Sequence, residues 1–194
     1  MMMNKKYIRF SFIKQKIKTV LLVVLMVVCG TKLFAQTTDE YTMKAIAFEK
    51  LALFITWPAN SLKNNHSQEF VIAVLGQNPF GDVLENIYKN KKIKDKKVKI
   101  VYVKKLQQLP ECQILFISKT DSEKLQKILD YLKGKPILTI SDTEGFAQAG
   151  CFINYYLNED KLRFEINQKA LQNAGFTIDY RLLRVSKIIN PTSE

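Results

Sequence analysis

The chain is poor in the residues from which most active sites are built. It has one histidine, three cysteines and one tryptophan in 194 residues. The histidine, His66, stands in the polar stretch NNHSQE, and no CxxC pair occurs. No clustered metal-ligand set can be assembled from these. Ser/His/Asp or Cys/His catalysis would have to recruit His66, and there is no GxSxG elbow to carry a serine. Glycine is scarce too, at seven residues. Only GQNPFG (Gly76–Gly81) places two glycines where a strand would enter a helix. A Walker loop needs Lys and Ser/Thr after its second glycine, where Asp82 and Val83 stand, and the dinucleotide fingerprint needs three glycines. A structural helix start is the reading left, with a helix N-terminus that can still attract an anion. The third strand ends in FISKTD, without a phosphoacceptor aspartate at its tip. Asp142, Glu144, Glu159, Asp160 and Glu165 are available, but nothing in their spacing holds two carboxylates across a cleft as a glycosidase-type site requires.

Acid is missing from the first 35 residues, which carry seven Lys or Arg. The apolar run that follows the basic part, Val20–Val28, is short of the ~20 residues a hydrocarbon core demands. TKLFAQ then offers Ala35 as a cleavage residue. These three features predict a secretory signal peptide over residues 1–35, a single mature domain over 36–190 and a tail over 191–194. Leu33 is large for the position two before Ala35, so an uncleaved anchor is the alternative. Val28 before Cys29 disfavours a lipoprotein. The leader holds +7 of the formal +12, leaving +5 for the mature chain. Between Lys89 and Lys105 there are nine lysines, one aspartate and no arginine. Nucleic-acid binding normally adds arginine and stacking aromatics, so a solvated turn is the favoured reading, ahead of an anionic envelope surface.

What is present is a regular alternation of apolar elements. Thr42–Thr56 reads as a helix apolar nearly all round, with Lys44, Glu49 and Lys50 its only charges; such a helix is wrapped or offers a face to a partner. Trp57 and Pro58 end it. Strands are predicted at Phe70–Leu75, Val98–Val103, Cys112–Ser118 and Pro136–Ser141. Helices are predicted from Pro79, with Phe80, Val83, Leu84 and Ile87 on one face, and from an Asp121 cap to Gly134. This order predicts an α/β domain, a largely parallel sheet with flanking helices. CFINYYL and KLRFEIN around NED then predict a C-terminal antiparallel hairpin, QKALQNAG a short helix, and DYRLLRVSKII a final helix or extended edge. Cys112 and Cys151 each open a strand. Either they form a disulfide across 38 intervening residues, worth roughly 3–4 kcal/mol in the chain-entropy picture, or they are separate buried thiols.

Six landmarks, in order, carry a resemblance. They are the helix closing on Trp57–Pro58; VLGQNPFG with Gly76, Phe80 and Gly81; CQILFIS; LTISDTEGFAQAG with Asp142, Phe146 and Gly150; RFEIN with Phe164, Glu165 and Asn167; and YRLLRVSKI with Leu182 and Leu183. Together they resemble the YfiR-like family of exported regulatory proteins over nearly all of residues 41–188. The resemblance implies a Rossmann-like periplasmic domain that self-associates as a homodimer and uses no cofactor. It also implies a partner: the periplasmic domain of an inner-membrane signalling protein, a diguanylate cyclase or a sensor kinase. Cys151 stands where the family usually has a second glycine after Gly150. The strand Val71–Leu75 lacks the cysteine that some members pair with a residue matching Cys112. On this reading Gly145, Gly150 and an Asx-type turn at Asp142 form a structural corner, and Phe54, Trp57 and Phe146 form the partner-contact face. The rival expectation is a small-molecule module using the crevice at the strand C-terminal ends, near Gly76 and Asp142.

Overall fold

The computed structural model describes Lys18, residues 40–59, Ser61 and residues 68–189. Apart from Lys18, the expected signal peptide lies outside the described residues, as do His66 and the tail 191–194. The described residues from Tyr41 on form one compact unit.

Every second residue of the central strands belongs to a different apolar cluster, and this alternation organises the fold. Phe70, Ile72 and Val74 of β2 (Glu69–Leu75) point to one side with Ile114 and Phe116 of β5 (Ile114–Ile117). Val71, Ala73, Leu75, Leu115 and Ile117 point to the other. A strand apolar on both faces is stable only when both are covered, which is the condition of a parallel sheet. The first face is covered by α1 (residues 40–54) and α2 (Val83–Tyr88). The second is covered by α3 (Ser122–Leu132) through Leu125, Ile128 and Leu132. Asp121 starts α3 as expected, its carboxylate accepting from the Lys124 amide at 2.7 Å.

The main sheet has eight strands in the order β10-β8-β7-β6-β5-β2-β4-β3. The additional strands are β3 (Lys92–Ile93), β4 (Lys96–Val103), β6 (Leu138–Ser141), β7 (Ile153–Asn158), β8 (Lys161–Asn167) and β10 (Lys187–Ile189). Parallel pairing joins β4, β2, β5, β6 and β7 in sequence, and β8 with β10. Antiparallel pairing joins β3 with β4 and β7 with β8. The two-residue connections in those antiparallel pairs, Lys94–Asp95 and Glu159–Asp160, all have positive φ, as the strand twist requires of so short a link. A separate two-stranded pair joins β1 (Ile55–Thr56) to β9 (Thr177–Ile178). Two short helices, α4 (Gln168–Asn173) and α5 (Tyr180–Leu183), complete the chain.

Several expectations change here. The helix expected from Pro79 begins at Val83, because residues 79–82 form turns in which Asn78 Oδ1 accepts from the Phe80 amide at 2.9 Å. The final segment is both a helical turn and a strand, and the strand runs parallel to β8. Cys112 and Cys151 are separate buried thiols, not a disulfide. Each is embedded in the apolar cluster under α3, and Cys151 Sγ also donates to the Ile153 carbonyl at 3.5 Å.

Candidate functional site

Helix α1 has two apolar sides, and among the described residues only one is covered. Lys44, Ala45, Ala47, Phe48, Leu51 and Ala52 recur at helical spacing and are buried against the sheet, with Ile55 of β1 continuing the buried side. Phe48 meets Phe80, Phe116 and Tyr155 with ring centroids 5.7–6.2 Å apart. The opposite stripe carries Met43, Ile46 and Leu53, with Lys50 between them. These three are 36%, 38% and 62% exposed. Phe54, at the C-terminal end of α1, is half-buried and lies under the Arg181 guanidinium at 5.1 Å. Asp179 holds that guanidinium through its carboxylate at 2.7 Å. Hydrogen bonds from Arg181 in turn bring the Asp179 carboxyl down to about 2.

Lys44 is the one charge on the buried side of α1. Its Nζ lies 2.6 Å from Asp142 Oδ2, and the Tyr41 hydroxyl donates to the same oxygen at 2.9 Å. Lys44 also sits 4.3 Å from the centre of the Tyr41 ring. Asp142 follows β6 directly, so this group staples α1 to the carboxyl end of the sheet. Nearby, burial pushes the Tyr155 hydroxyl well above the ordinary tyrosine range, with Tyr88 and Asp142 adding to the effect. An ion pair this enclosed contributes mainly by forbidding other arrangements, since desolvation offsets most of its attraction. The turn expected at Asp142 is corrected accordingly: its carboxylate reaches α1, and Ser141 Oγ, not Asp142, accepts from the Thr143 amide at 3.4 Å.

Two concavities open at opposite ends of the strands. At the carboxyl end, about 310 Å³ lies between the segments following β2, β4 and β5 and the start of α3. Its walls include Gly76, Ser118, Thr120 and five lysines: 104, 105, 119, 124 and 127. At the amino end, about 580 Å³ is bounded by Trp57, Pro110, Cys112, Gln113, Lys135 and Pro136. Gln113 organises that end. Its side-chain oxygen accepts from the Val71 amide at 2.6 Å and its carbonyl from Trp57 Nε1 at 3.2 Å. Burial pushes the Cys112 and Cys151 thiols up to about 12 each. Neither thiol is therefore a thiolate nucleophile at neutral pH. Among the described residues no group of three His, Cys, Asp or Glu could hold a metal.

The contact face expected from Phe54, Trp57 and Phe146 does not form. Trp57 and Phe146 are each 4% exposed, and they belong to clusters on opposite faces of the sheet. Trp57 packs edge-on against Phe70 and Phe176. Phe146 lies under α3, with its carbonyl accepting from the Cys151 amide at 2.9 Å. The exposed stripe of α1 was missed because an all-round apolar helix does not announce which side the sheet will take. Lys44 had a signal: it lies in phase with Phe48 and Leu51, on the side a helix buries.

The remaining landmarks are structural fittings. Phe80 joins the Phe48–Phe116 cluster, its ring 4.9 Å from that of Phe116. Gly76, with φ +102°, brings β2 within 3.2 Å of Ser118 Cβ at the position a Cβ would take. Gly150, with φ +114°, would place a Cβ 3.2 Å from Leu129. Gly81 also has positive φ, and Pro58 lies against Gly175. Asn167 caps α4 through the Ala170 amide at 2.9 Å and donates to the Ala147 carbonyl at 2.9 Å. Glu165 is nearly buried and pairs with Lys187 at 2.8 Å. Phe164 stacks edge-on to Tyr155 at 5.6 Å, Leu182 is buried, and Leu183 packs half-buried beside it.

The family model described as YfiR/HmsC-like matches residues 41–187, most of the chain, and the chain belongs to that family. No curated protein matches it. Among the described residues no helix is long and apolar enough to cross a membrane.

Proposed function

We propose that this chain is an exported, non-enzymatic regulator that binds the periplasmic domain of an inner-membrane signalling protein and modulates its output. The partner class is a diguanylate cyclase or a sensor kinase. Membership of the YfiR/HmsC-like family supports the reading. In it, the central parallel strands with helices on both faces are Rossmann-like layering, and the β7–β8 pair is the C-terminal hairpin. The observation that carries the reading is the exposed apolar stripe Met43, Ile46 and Leu53 on α1. The remainder of α1 is anchored in the core, so the stripe is presented on a rigid support. Exposed apolar side chains on such a support are favoured anchors in protein interfaces. Phe54 borders the stripe and belongs to the proposed contact. Trp57 and Phe146 hold the fold behind it.

Crosslinking of the tagged protein in its own cells, followed by mass spectrometry, tests the reading. Recovery of an integral membrane cyclase or kinase is the expected result, together with a homodimer. Recovery of self-crosslinks alone at native expression would overturn it.

A further inference from the structure

The crevice at the carboxyl end of the sheet has the properties of an anion site. From β2 the chain crosses by α2 to β4 on one side, then returns to β5 on the other. The segments leaving β2 and β5 therefore diverge onto opposite faces. A crevice at such a reversal is the usual ligand position in an open α/β sheet. Here its walls are pinned. The Gly76 amide donates to the Val103 carbonyl at 3.0 Å and the Ser118 amide to the Leu75 carbonyl at 3.0 Å. Ser118 Oγ donates to the Gln77 carbonyl at 2.6 Å. The close approach of Gly76 to Ser118 forms the floor.

Charge decides the chemistry. Lys104 and Lys105 come from the segment after β4, Lys119 from that after β5, and Lys124 and Lys127 from α3; no carboxylate is among the lining residues. Lys127 is drawn toward Glu123 at 2.6 Å. Among the described residues Lys104, Lys105, Lys119 and Lys124 form no ion pair. The four lysines without a carboxylate partner repel one another around ~310 Å³, and an anion held among them would relieve that repulsion. The start of α3 contributes little by itself, because Asp121 already takes the Lys124 amide.

We propose that this crevice binds a phosphate group carrying two or more negative charges. A free phosphorylated small molecule and a phospholipid headgroup share that chemistry. The site does not depend on the partner-binding reading, and it separates the two residues that the sequence placed together. Gly76 lines the crevice, while Asp142 is engaged by Lys44 and Tyr41.

The test uses the purified protein, with inorganic pyrophosphate as probe in titration calorimetry at low ionic strength. Saturable binding at one site per chain is expected. The triple variant Lys105→Gln, Lys119→Gln, Lys124→Gln should weaken it about tenfold or more, each substitution removing a charge-assisted contact. The control triple Lys89→Gln, Lys92→Gln, Lys97→Gln removes the same charge elsewhere and should change binding less than about threefold. All six substitutions are at exposed positions, and unchanged melting temperatures will confirm folding. Sedimentation with phosphatidylglycerol and phosphatidylcholine vesicles forms the second arm. Vesicle binding that depends on the same three lysines, without pyrophosphate binding, would assign the phosphate to a lipid headgroup. Equal weakening in both triples, or binding of neither probe, would overturn the proposal.

Discussion

The two ends of the sheet make opposite uses of space. The amino end has the larger concavity, with Trp57, Cys112 and two prolines around it, and its polar anchor, Gln113, is engaged in holding β2 and Trp57. The carboxyl end has the smaller crevice and most of the charge: five lysines around the end of β2 and the sealed Lys44–Asp142 pair under α1. Volume alone would select the amino end. Chemistry selects the other, because a ligand is held by convergent groups that are not already engaged with the protein.

The sharpest way to break this contrast is through the sealed pair. Asp142→Ala removes the carboxylate that faces Lys44 in the core and should cost about 3–5 kcal/mol. The double replacement Lys44→Met with Asp142→Leu should cost much less, since both desolvated charges go together. Urea unfolding of the two variants measures the difference. If the single and double variants lose the same stability, the carboxyl end is held by packing and not by the pair.

At the amino end, Trp57→Phe keeps an aromatic in place but loses the bond to the Gln113 carbonyl. An expected loss of about 1–2 kcal/mol follows from one buried acceptor losing a partner and from the smaller ring. Partner crosslinking should be unaffected. A variant that stays stable yet loses the partner would return Trp57 to the interface.

Alkaline pH probes the cluster under α3, which both cysteines share. Their thiols are raised from 9 to about 12 by burial. Between those values the unfolded chain ionises its thiols while the folded chain keeps them protonated. The unfolded state then binds fewer protons, so stability falls as pH rises, by roughly 1.4 kcal/mol per pH unit for each thiol. Below pH 9 this contribution is complete and flat. Melting temperatures across pH 8–11 should show the decline, and Cys112→Ala with Cys151→Ala should make it shallower from a lower starting point. Tyr88 and Tyr155, also raised by burial, add to the fall at the upper end.

The smallest effect on stability belongs to the exposed stripe. Leu53→Asp should change unfolding free energy by no more than about 0.5 kcal/mol, as at other exposed positions. It should nevertheless abolish crosslinking to the membrane partner. Retained crosslinking would move the contact off α1.

Elements were far easier to read than their consequences. Strands β2, β4, β5 and β6 and helix α3 were legible because apolar runs, Asp121 and Gly134 mark them locally. The start of α2 was misplaced because Pro79 can open a turn as well as a helix, and Asn78 chose the turn. The contact face was misread for a different reason. Trp57, Phe54 and Phe146 are the aromatics a sequence reader would put at an interface, but two of them fill gaps on opposite faces of the sheet. Gly76 was correctly placed near a crevice, whereas the lysines that give that crevice its charge are spread over three segments.

Sequence by itself determined the alternation of strands and helices, the two-sided apolar strands that demand a covered sheet, and the shortage of catalytic residues. These depend on short-range spacing, which the chain carries with it before folding. Only the tertiary structure decided which side of α1 is hidden, that Lys44 meets Asp142 across 98 positions, that the cysteines stay apart, and that lysines after β4, after β5 and on α3 surround one space. Those facts follow from the order of strands in the sheet. That order is settled by how all the apolar faces can be covered at once, and no local stretch of sequence states it.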